Sequence, residues 1–301
     1  MPPFTLALAQ YPIEKLHSLL AWKDKIAHWV DQAASVGAKL LVFPEYASME
    51  LASLDPQAMG DLGASLRFVA ALRQSIDGHH AMLAARHGVY IVAGSMPVPL
   101  EDGRIVNRAR IFAPSRGMSW QDKIVMTRFE REQWGISGGD TIRAFRTSLG
   151  IIGISICYDV EFPLIARAQA EAGARLILAP SCTDTMRGYH RVRIGAQARA
   201  LENQLFVAQT PTVGMAPWSP VLDENYGAAG LYGPPDRDVP HDGVIDIGPM
   251  NEGRWLLTDV DPERVTSWRQ DGAVRPYAHW TEQLGRSSSP PALPVELINL
   301  T

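Results

Sequence analysis

The chain holds only two cysteines in 301 residues, Cys157 and Cys182. So few thiols exclude a disulfide framework as the device that organises the fold, and neither C-x-x-C nor H-E-x-x-H occurs. His79 and His80 adjoin each other without further ligands at metal-site spacing, so neither a metal nor a cofactor is expected. An excess of positive charge is also missing. The 28 Lys and Arg stand against 32 Asp and Glu, a formal net charge of -4, and the basic residues are scattered along the chain. That distribution leaves no electrostatic footprint for nucleic acid. No uninterrupted apolar stretch reaches the roughly 18 residues of a membrane span, and the opening residues MPPFTLALAQYP lack a basic flank before an apolar core. The expectation is a soluble, cytoplasmic protein with no nucleic-acid or membrane partner.

What the chain has instead is apolar residues, 46% of the total, enough for a sizeable core. Short runs rich in Val, Ile and Leu alternate with longer amphipathic segments, the pattern of an α/β fold whose strands are covered by helices. The spacing predicts strands at 4–9, 39–43, 89–95, 105–112, 150–156, 175–179 and 204–210, with shorter ones near 228–232, 243–247 and 254–260. Helices are expected at 15–35, 62–86, 162–172 and 190–202. No Ser/Pro/Gly-rich linker divides the chain, so residues 1–301 are expected to form a single domain. The tail from about 285 to 301, GRSSSPPALPVELINLT, is too Pro-rich for a helix. Leu293, Val295, Leu297 and Ile298 suit an extended segment packed on this subunit or on a partner, and disorder is the alternative.

An internal echo refines the architecture. GAKLLVFPEY at 37–46 resembles GARLILAPSC at 173–182: Gly closes a helix, a buried strand follows, and Pro stops that strand before polar residues. Downstream, VYIVAGSMP at 89–97 and QLFVAQTPT at 204–212 supply a second matched pair in the same order. Two β-α-β halves related by an approximate twofold axis are expected, with two sheets facing each other and helices outside.

Polar residues just beyond the carboxyl ends of strands face the crevice where open α/β sheets bind ligands. Three such ends carry chemistry here: Glu45 after LLVFP, Cys157 at the end of IIGISI, and Ser181 to Asp184 after LILAP. In GISICYDVEFP the strand delivers Cys157 to a pocket, and Pro163 suits the first turn of a following helix. A free thiol has a pKa of about 8.5, so a nucleophilic Cys157 needs a nearby base or cation. The segment WQDKIVMTRFEREQWGISGGD at 120–140 offers Lys123, Glu130 and Glu132, with Trp134 and a Gly138-Gly139-Asp140 turn; Arg128 and Arg131 could equally keep those glutamates solvated.

FPEY with Glu45, DK with Lys123 and ICYDVEFP with Cys157, in that order and at those separations, resemble the Glu-Lys-Cys triad of the nitrilase, or carbon-nitrogen hydrolase, superfamily. The similarity runs from the first strand through GAQARALENQ (195–204) to the DV pair near 259. The resemblance implies a four-layer αββα sandwich with two facing mixed sheets, assembled as a homodimer or higher homo-oligomer through helices beside the active site. It implies hydrolysis of a non-peptide carbon-nitrogen bond: a small-molecule amide first, an N-carbamoyl amino acid or a nitrile as alternatives. Glu45 would be general base, Lys123 and the backbone N–H of Tyr158 the oxyanion donors, and Cys157 the nucleophile. Members carry a second glutamate several residues before a Pro-Gly; here Gly138-Gly139 replaces that pair, and counting back seven residues from Gly139 gives Glu132, with Glu130 as competitor. Tyr158, Glu130, Trp134, Cys182, Thr183 and His190 are the candidate substrate contacts. Trp218, Tyr226, Arg187, Arg191 and Arg193 either shape the pocket or lie at the surface, and an arginine there would suit a carboxylate-bearing substrate.

Three other readings compete. GISIC differs from G-x-S-x-G only at its last position, which would make Ser155 a nucleophile, but Ser155 lies inside the apolar run rather than on a turn. His190 could serve Cys157 as base in place of Glu45. An inactive binding scaffold of the same fold would have no need of the triad.

Overall fold

The computed structural model describes residues 2–285 and 293–301. The first half of the chain runs β1 (Phe4–Pro12), α1 (Leu19–Ser35), β2 (Leu40–Val42), α2 (Pro56–Gly60), α3 (Leu62–Ala71), α4 (Arg73–His87), β3 (Tyr90–Pro99), β4 (Ile105–Phe112), β5 (Met118–Asp122), α5 (Arg128–Glu132) and β6 (Ile136–Ser137). The second half runs β7 (Ile142–Thr147), β8 (Gly150–Ile154), α6 (Pro163–Glu171), β9 (Leu176–Ser181), α7 (Met186–Asn203), β10 (Phe206–Met215), β11 (Glu224–Asn225), β12 (Gly230–Tyr232) and β13 (Val244–Ile247). Then come β14 (Arg254–Val260), α8 (Glu263–Asp271), α9 (Pro276–His279) and β15 (Val295–Asn299).

The chain builds two mixed sheets, one from the first half completed by β14 and one from the second half, and the two repeat the same order of strand directions. In the first, parallel β1, β2 and β3 are flanked by antiparallel β14 on one side and antiparallel β4 and β5 on the other. In the second, parallel β8, β9 and β10 are flanked by antiparallel β7 and by antiparallel β12 and β13. The matched sequences occupy matched places, β2 with β9 and β3 with β10. The sheets join into one ladder where Tyr11 and Pro12 of β1 pair with Thr212 and Val213 of β10.

Side chains alternate across a strand, so one face of the first sheet meets the second sheet and the other meets helices. Leu6, Leu8, Val42, Val92 and Ile111 pack in one cluster with Ile152, Ile154, Leu178 and Val207. The intervening Ala7, Ala9, Leu41, Phe43 and Ile91 pack instead with Trp22, Ile26 and Val30 of α1 and with Leu66, Val69, Ile76 and Leu83 of α3 and α4. Ala166 and Ala170 of α6 and Val192, Ala196 and Ala200 of α7 cover the second sheet, their small side chains bringing the helices close. The result is the four-layer αββα sandwich. Each fully buried Leu, Ile or Val contributes roughly 1.5–3 kcal/mol of transfer free energy to it. Among the described residues, no helix is long and apolar enough to cross a membrane.

Several boundaries differ from the sequence expectation. The helix expected at 62–86 is two helices: Leu72 ends α3 with an N–H to Val69 carbonyl bond and starts α4 by accepting from the Ile76 N–H. No Gly or Pro marks that break. Helix α1 starts at Leu19 rather than 15, because Ser18 caps it by accepting from the Ala21 N–H. Helix α7 starts four residues earlier than expected, where Thr185 accepts from the Gly188 N–H. Of the C-terminal tail, 286–292 lies outside the described residues, and Val295–Asn299 forms β15, a parallel edge strand on β7.

One irregularity positions the loop after β2. Between Val92 and Ser95 the pairing of β3 with β4 shifts register, and Gly94 sits in the left-handed region at φ 71°. A Cβ on Gly94 would fall on the carbonyl oxygen of Pro44, the residue before Glu45. Ser95 Oγ then accepts the Tyr46 N–H at 3.1 Å, holding the loop on its other side. Gly94→Ala is therefore expected to destabilise the fold by roughly 1–3 kcal/mol through combined strain and overlap, read as a lowered midpoint in urea unfolding with an unchanged slope. An unchanged midpoint would remove this account of the bulge.

Candidate active site

Cys157 stands at a sharp elbow. The Ser155 N–H still bonds the Leu178 carbonyl at 2.9 Å, but Cys157 adopts φ 48°, opening a 3-10 turn over Cys157–Glu161 before Pro163 begins α6. A non-glycine residue held there costs of order 1–3 kcal/mol and persists only where the surroundings over-determine it. Asp159 supplies that constraint. Its buried carboxylate accepts the N–H of Ile156 at 3.3 Å, of Ile124 at 3.1 Å and of Val125 at 2.8 Å. One side chain thus clamps the cysteine elbow to the loop that carries Lys123.

Lys123 follows β5 and is buried. Its backbone N–H bonds the Asn107 carbonyl at 2.9 Å, and its carbonyl accepts the Gly139 N–H at 2.7 Å. Its ammonium donates to Glu45 Oε1 at 2.8 Å and to Glu130 Oε2 at 2.6 Å. Asn107 Nδ2 bridges the same two carboxylates, at 2.9 Å to Glu45 Oε1 and 3.1 Å to Glu130 Oε1. The second oxygen of Glu45 accepts the Cys182 N–H at 3.0 Å, and the Tyr46 hydroxyl donates to Glu130 at 2.9 Å. The Cys157 thiol donates to the Cys182 carbonyl at 3.7 Å.

The electrostatics separate the two carboxylates. Burial pushes the Glu45 carboxyl up; Lys123 opposes that rise and the charge of Glu130 adds to it, leaving Glu45 above the usual range. Burial also acts on Glu130, but Lys123 and the Thr127 bonds outweigh it and hold Glu130 below the usual range. Burial works against the Lys123 charge, and Glu130 and Glu45 together overcome it, so the amine stays protonated. Burial and the Glu45 carboxylate raise the Cys157 thiol well above its ordinary value against the pull of Lys123. The resting pair is therefore a neutral thiol beside a carboxylate of raised basicity, an arrangement suited to a general base and its nucleophile.

These groups lie at a cavity of about 600 Å³, also lined by Tyr158, Trp134, Cys182 and Thr183. The structure thus brings Glu45, Lys123, Cys157 and Glu130 together with four of the expected substrate contacts. Pro220, Val221 and Asp223, between β10 and β11, and Glu224 of β11 border the same cavity. Two site assignments need correction. Glu132 points away: its side chain is 54% exposed and pairs with Arg128 at 2.8 Å, whereas the Glu130 side chain is 3% exposed. The cause is the capping box of α5, in which Thr127 and Glu130 bond each other's backbone and turn Glu130 inward. His190 lies in the second turn of α7, exposed, beside the Tyr189 ring and not on the cavity wall, so it is not placed to take a proton from Cys157. Ser155 is buried with its hydroxyl donating to Gln169, which removes it as a nucleophile. Trp218, Tyr226, Arg187 and Arg193 do not line the cavity, while Arg191 does. Sequence reasoning missed Asn107, Tyr46 and the clamp of Asp159. Asn107 had a signal, being a polar residue on the β4 face that otherwise carries Ala109 and Ile111. Among the described residues, no three His, Cys, Asp or Glu side chains group so as to hold a metal ion.

Comparison with known proteins adds the following. A family model described as carbon-nitrogen hydrolase matches residues 5–270. The probable hydrolase YhcX of Bacillus subtilis is 34% identical over 273 residues, 91% of this chain and 53% of that protein, so the chain spans about half the length of that relative. The omega-amidase NIT2 of Xenopus tropicalis is 23% identical over 293 residues, 91% of this chain and 95% of that protein. A solved carbon-nitrogen hydrolase superfamily protein of Xanthomonas campestris superposes with a TM-score of 0.73 at 18% identity, covering 97% of this chain and all (100%) of the other. A likeness at that identity shows the αββα fold.

The direction of the Cys157 shift is measurable. Iodoacetamide labelling of Cys157, followed by peptide mass spectrometry across pH, is expected to show a midpoint above the ordinary thiol value of about 8.5. In Glu45→Gln, with the raising carboxylate gone, that midpoint is expected to fall. A wild-type midpoint at or below the ordinary value would contradict the resting thiol.

Proposed function

Because this chain belongs to the carbon-nitrogen hydrolase family, we propose that it hydrolyses the carbon-nitrogen bond of a small-molecule amide through a thioester on Cys157. The observation that carries this reading is the ammonium of Lys123 held between Glu45 and Glu130 beside a strained, buried thiol at one cavity. The name omega-amidase borne by a relative that matches 91% of this chain favours an amide.

Glu45 takes the Cys157 proton as sulfur attacks the carbonyl carbon. Negative charge then develops on the carbonyl oxygen, which is met by the Lys123 ammonium and the Tyr158 N–H. Collapse of the tetrahedral intermediate breaks the carbon-nitrogen bond, and Glu45 passes its proton to the departing nitrogen, so ammonia or an amine leaves and a thioester remains. Water enters, Glu45 removes its proton, and attack on the thioester carbon releases the acid and restores the thiol. Glu130, held ionised, keeps Lys123 charged and fixes its aim. N-carbamoyl groups and nitriles offer the same thiol a comparable electrophilic carbon, and ammonia release from a panel of amides, carbamoyl amino acids and nitriles separates the three.

A homodimer belongs to the same reading. Met186, Ile194 and Leu201 form an exposed apolar stripe on α7 beside the site, with Ile194 66% exposed. Ile194→Glu is expected to shift the mass found by light scattering from twice the chain mass to the chain mass. A wild-type monomer would refute the assembly.

Loss of one oxyanion donor costs about 10²- to 10³-fold in kcat, so Lys123→Ala is expected to lose at least that while circular dichroism stays native. Glu45→Gln is expected to form no acyl adduct by mass spectrometry. Glu130→Gln is expected to lower turnover sharply, and Glu132→Gln to leave it within about twofold, as for a surface position. An acyl adduct accumulating on Glu45→Gln would reassign the first base.

A further inference from the structure

We propose that the non-reacting end of the substrate carries a positive charge, an ammonium or guanidinium, selected by Asp184, Asp223 and Glu224; this rests on Cys157 being the nucleophile of the reaction above. The cavity mouth carries two arginines, and each is already neutralised within the protein. Arg128 pairs with Glu132 at 2.8 Å and Arg191 with Glu161 at 2.7 Å. Among the described residues, the sequence expectation that an arginine here suits a carboxylate-bearing substrate therefore finds no unpaired arginine on the cavity lining.

Three acids at the same mouth have no such partner. Asp184, Asp223 and Glu224 line the cavity, and among the described residues none of them has a cationic partner. Asp184 accepts the Thr185 hydroxyl at 3.3 Å. They come from two separate segments, the turn after β9 and the stretch entering β11, so tertiary structure brings them to the same cavity. Aromatic side chains give a second, independent indication. Phe129, Trp134 and Tyr158 line the cavity, and Phe129 is 54% exposed. A ring face can add quadrupole attraction for a cation; the Tyr158 ring already has the Arg191 guanidinium 6.0 Å from its centroid, which leaves Phe129 and Trp134 on the cavity lining. The buried thiol, which leads into the same cavity, marks it as a place where a ligand enters. Carboxylates of one sign in a cleft with low-dielectric walls raise the local concentration of cations and repel anions.

The test uses three pentanamides whose far end carries an ammonium, a methyl or a carboxylate. At low ionic strength kcat/KM for the ammonium amide is expected to exceed the methyl one by about 10-fold or more, with the carboxylate amide slowest and the ratio shrinking as salt rises. The Asp184→Asn, Asp223→Asn, Glu224→Gln triple variant is expected to shrink the same ratio. If the methyl or carboxylate amide is hydrolysed as well as the ammonium one, the charge preference is overturned while the hydrolase reading stands. A ratio unchanged in the triple variant overturns the assignment to these three residues. If none of the amides reacts, modification of Cys157 in a Cys182→Ser background decides the charge question without catalysis. Aminoethyl methanethiosulfonate is expected to react about 10-fold faster than its sulfonatoethyl counterpart, and equal rates overturn the proposal.

Discussion

The site depends on one buried cation. Lys123 places an ammonium in the interior with its side chain 1% exposed, and desolvation of that kind costs several kcal/mol per ion unless close opposite charges and hydrogen bonds offset it. Glu45 and Glu130 supply the offset at 2.8 and 2.6 Å. Neither carboxylate would readily stay ionised in this interior without the ammonium, and the ammonium would lose its proton without them. The three charges are therefore one unit, and removing any member leaves a partner buried and uncompensated. Stability and reactivity are tied together at this point of the fold.

Holding that unit falls to groups drawn from both halves of the chain. Asn107 reaches in from β4 to join the carboxylates, Tyr46 fixes Glu130 from the loop after β2, and the Cys182 N–H fixes Glu45 from the end of β9. Asp159 ties the loop of Lys123 to the elbow of Cys157 through backbone bonds alone. Burial raises the Asp159 carboxyl to about 7. Above that pH its charged form strengthens the bonds to the three N–H groups, and below it one oxygen is protonated and becomes a poorer acceptor. The left-handed conformation of Cys157 is paid for by this clamp. The twofold likeness of the halves matters because it brings the ends of β2 and β9 to the same place, as it also brings β3 and β10 side by side with their partners.

How much of this could be seen in the sequence follows from which signals are local. The repeated strands were legible because a buried strand stopped by Pro leaves the same trace at 37–46 and 173–182. Glu45, Lys123 and Cys157 were legible together through their resemblance to the triad of the carbon-nitrogen hydrolase superfamily. Glu132 was chosen by counting from a glycine pair, although Thr127-Arg128-Phe129-Glu130 already spells a capping box, and that local geometry turns Glu130 toward the helix start and Lys123. The same oversight at Thr185 moved the start of α7 and put His190 on the cavity wall, where it is not. The break at Leu72 has no local residue that announces it. Strands β5 and β7 were given no bounds because they sit at or near a sheet edge, where the apolar alternation that marks a strand is weak, and β15 was expected only as an extended packed segment. The bridging role of Asn107 is a contact between residues 62 apart in sequence and could be suspected only from its polarity on an apolar face.

The separation of the two carboxylates explains why the thiol can rest protonated without harm to reactivity. Ionising Cys157 in place would put a third negative charge beside a single ammonium in a dry interior, which is the direction that burial and Glu45 both oppose. In the proposed attack the proton moves to Glu45 as the sulfur–carbon bond forms. Negative charge leaves Glu45 and reappears on the substrate oxygen, so the total charge around Lys123 does not change. The ammonium exchanges one anionic neighbour for another, and Glu130 stays ionised throughout to hold it in position. A charge that moves without growing needs little reorganisation of its surroundings, and preorganised surroundings are what a low-dielectric site makes effective. The buried cation that constrains the fold is thus placed to receive the oxyanion. The carboxylates at the mouth lie outside this exchange, so they can set the charge of the substrate's far end without disturbing the proton shared by Glu45 and Cys157.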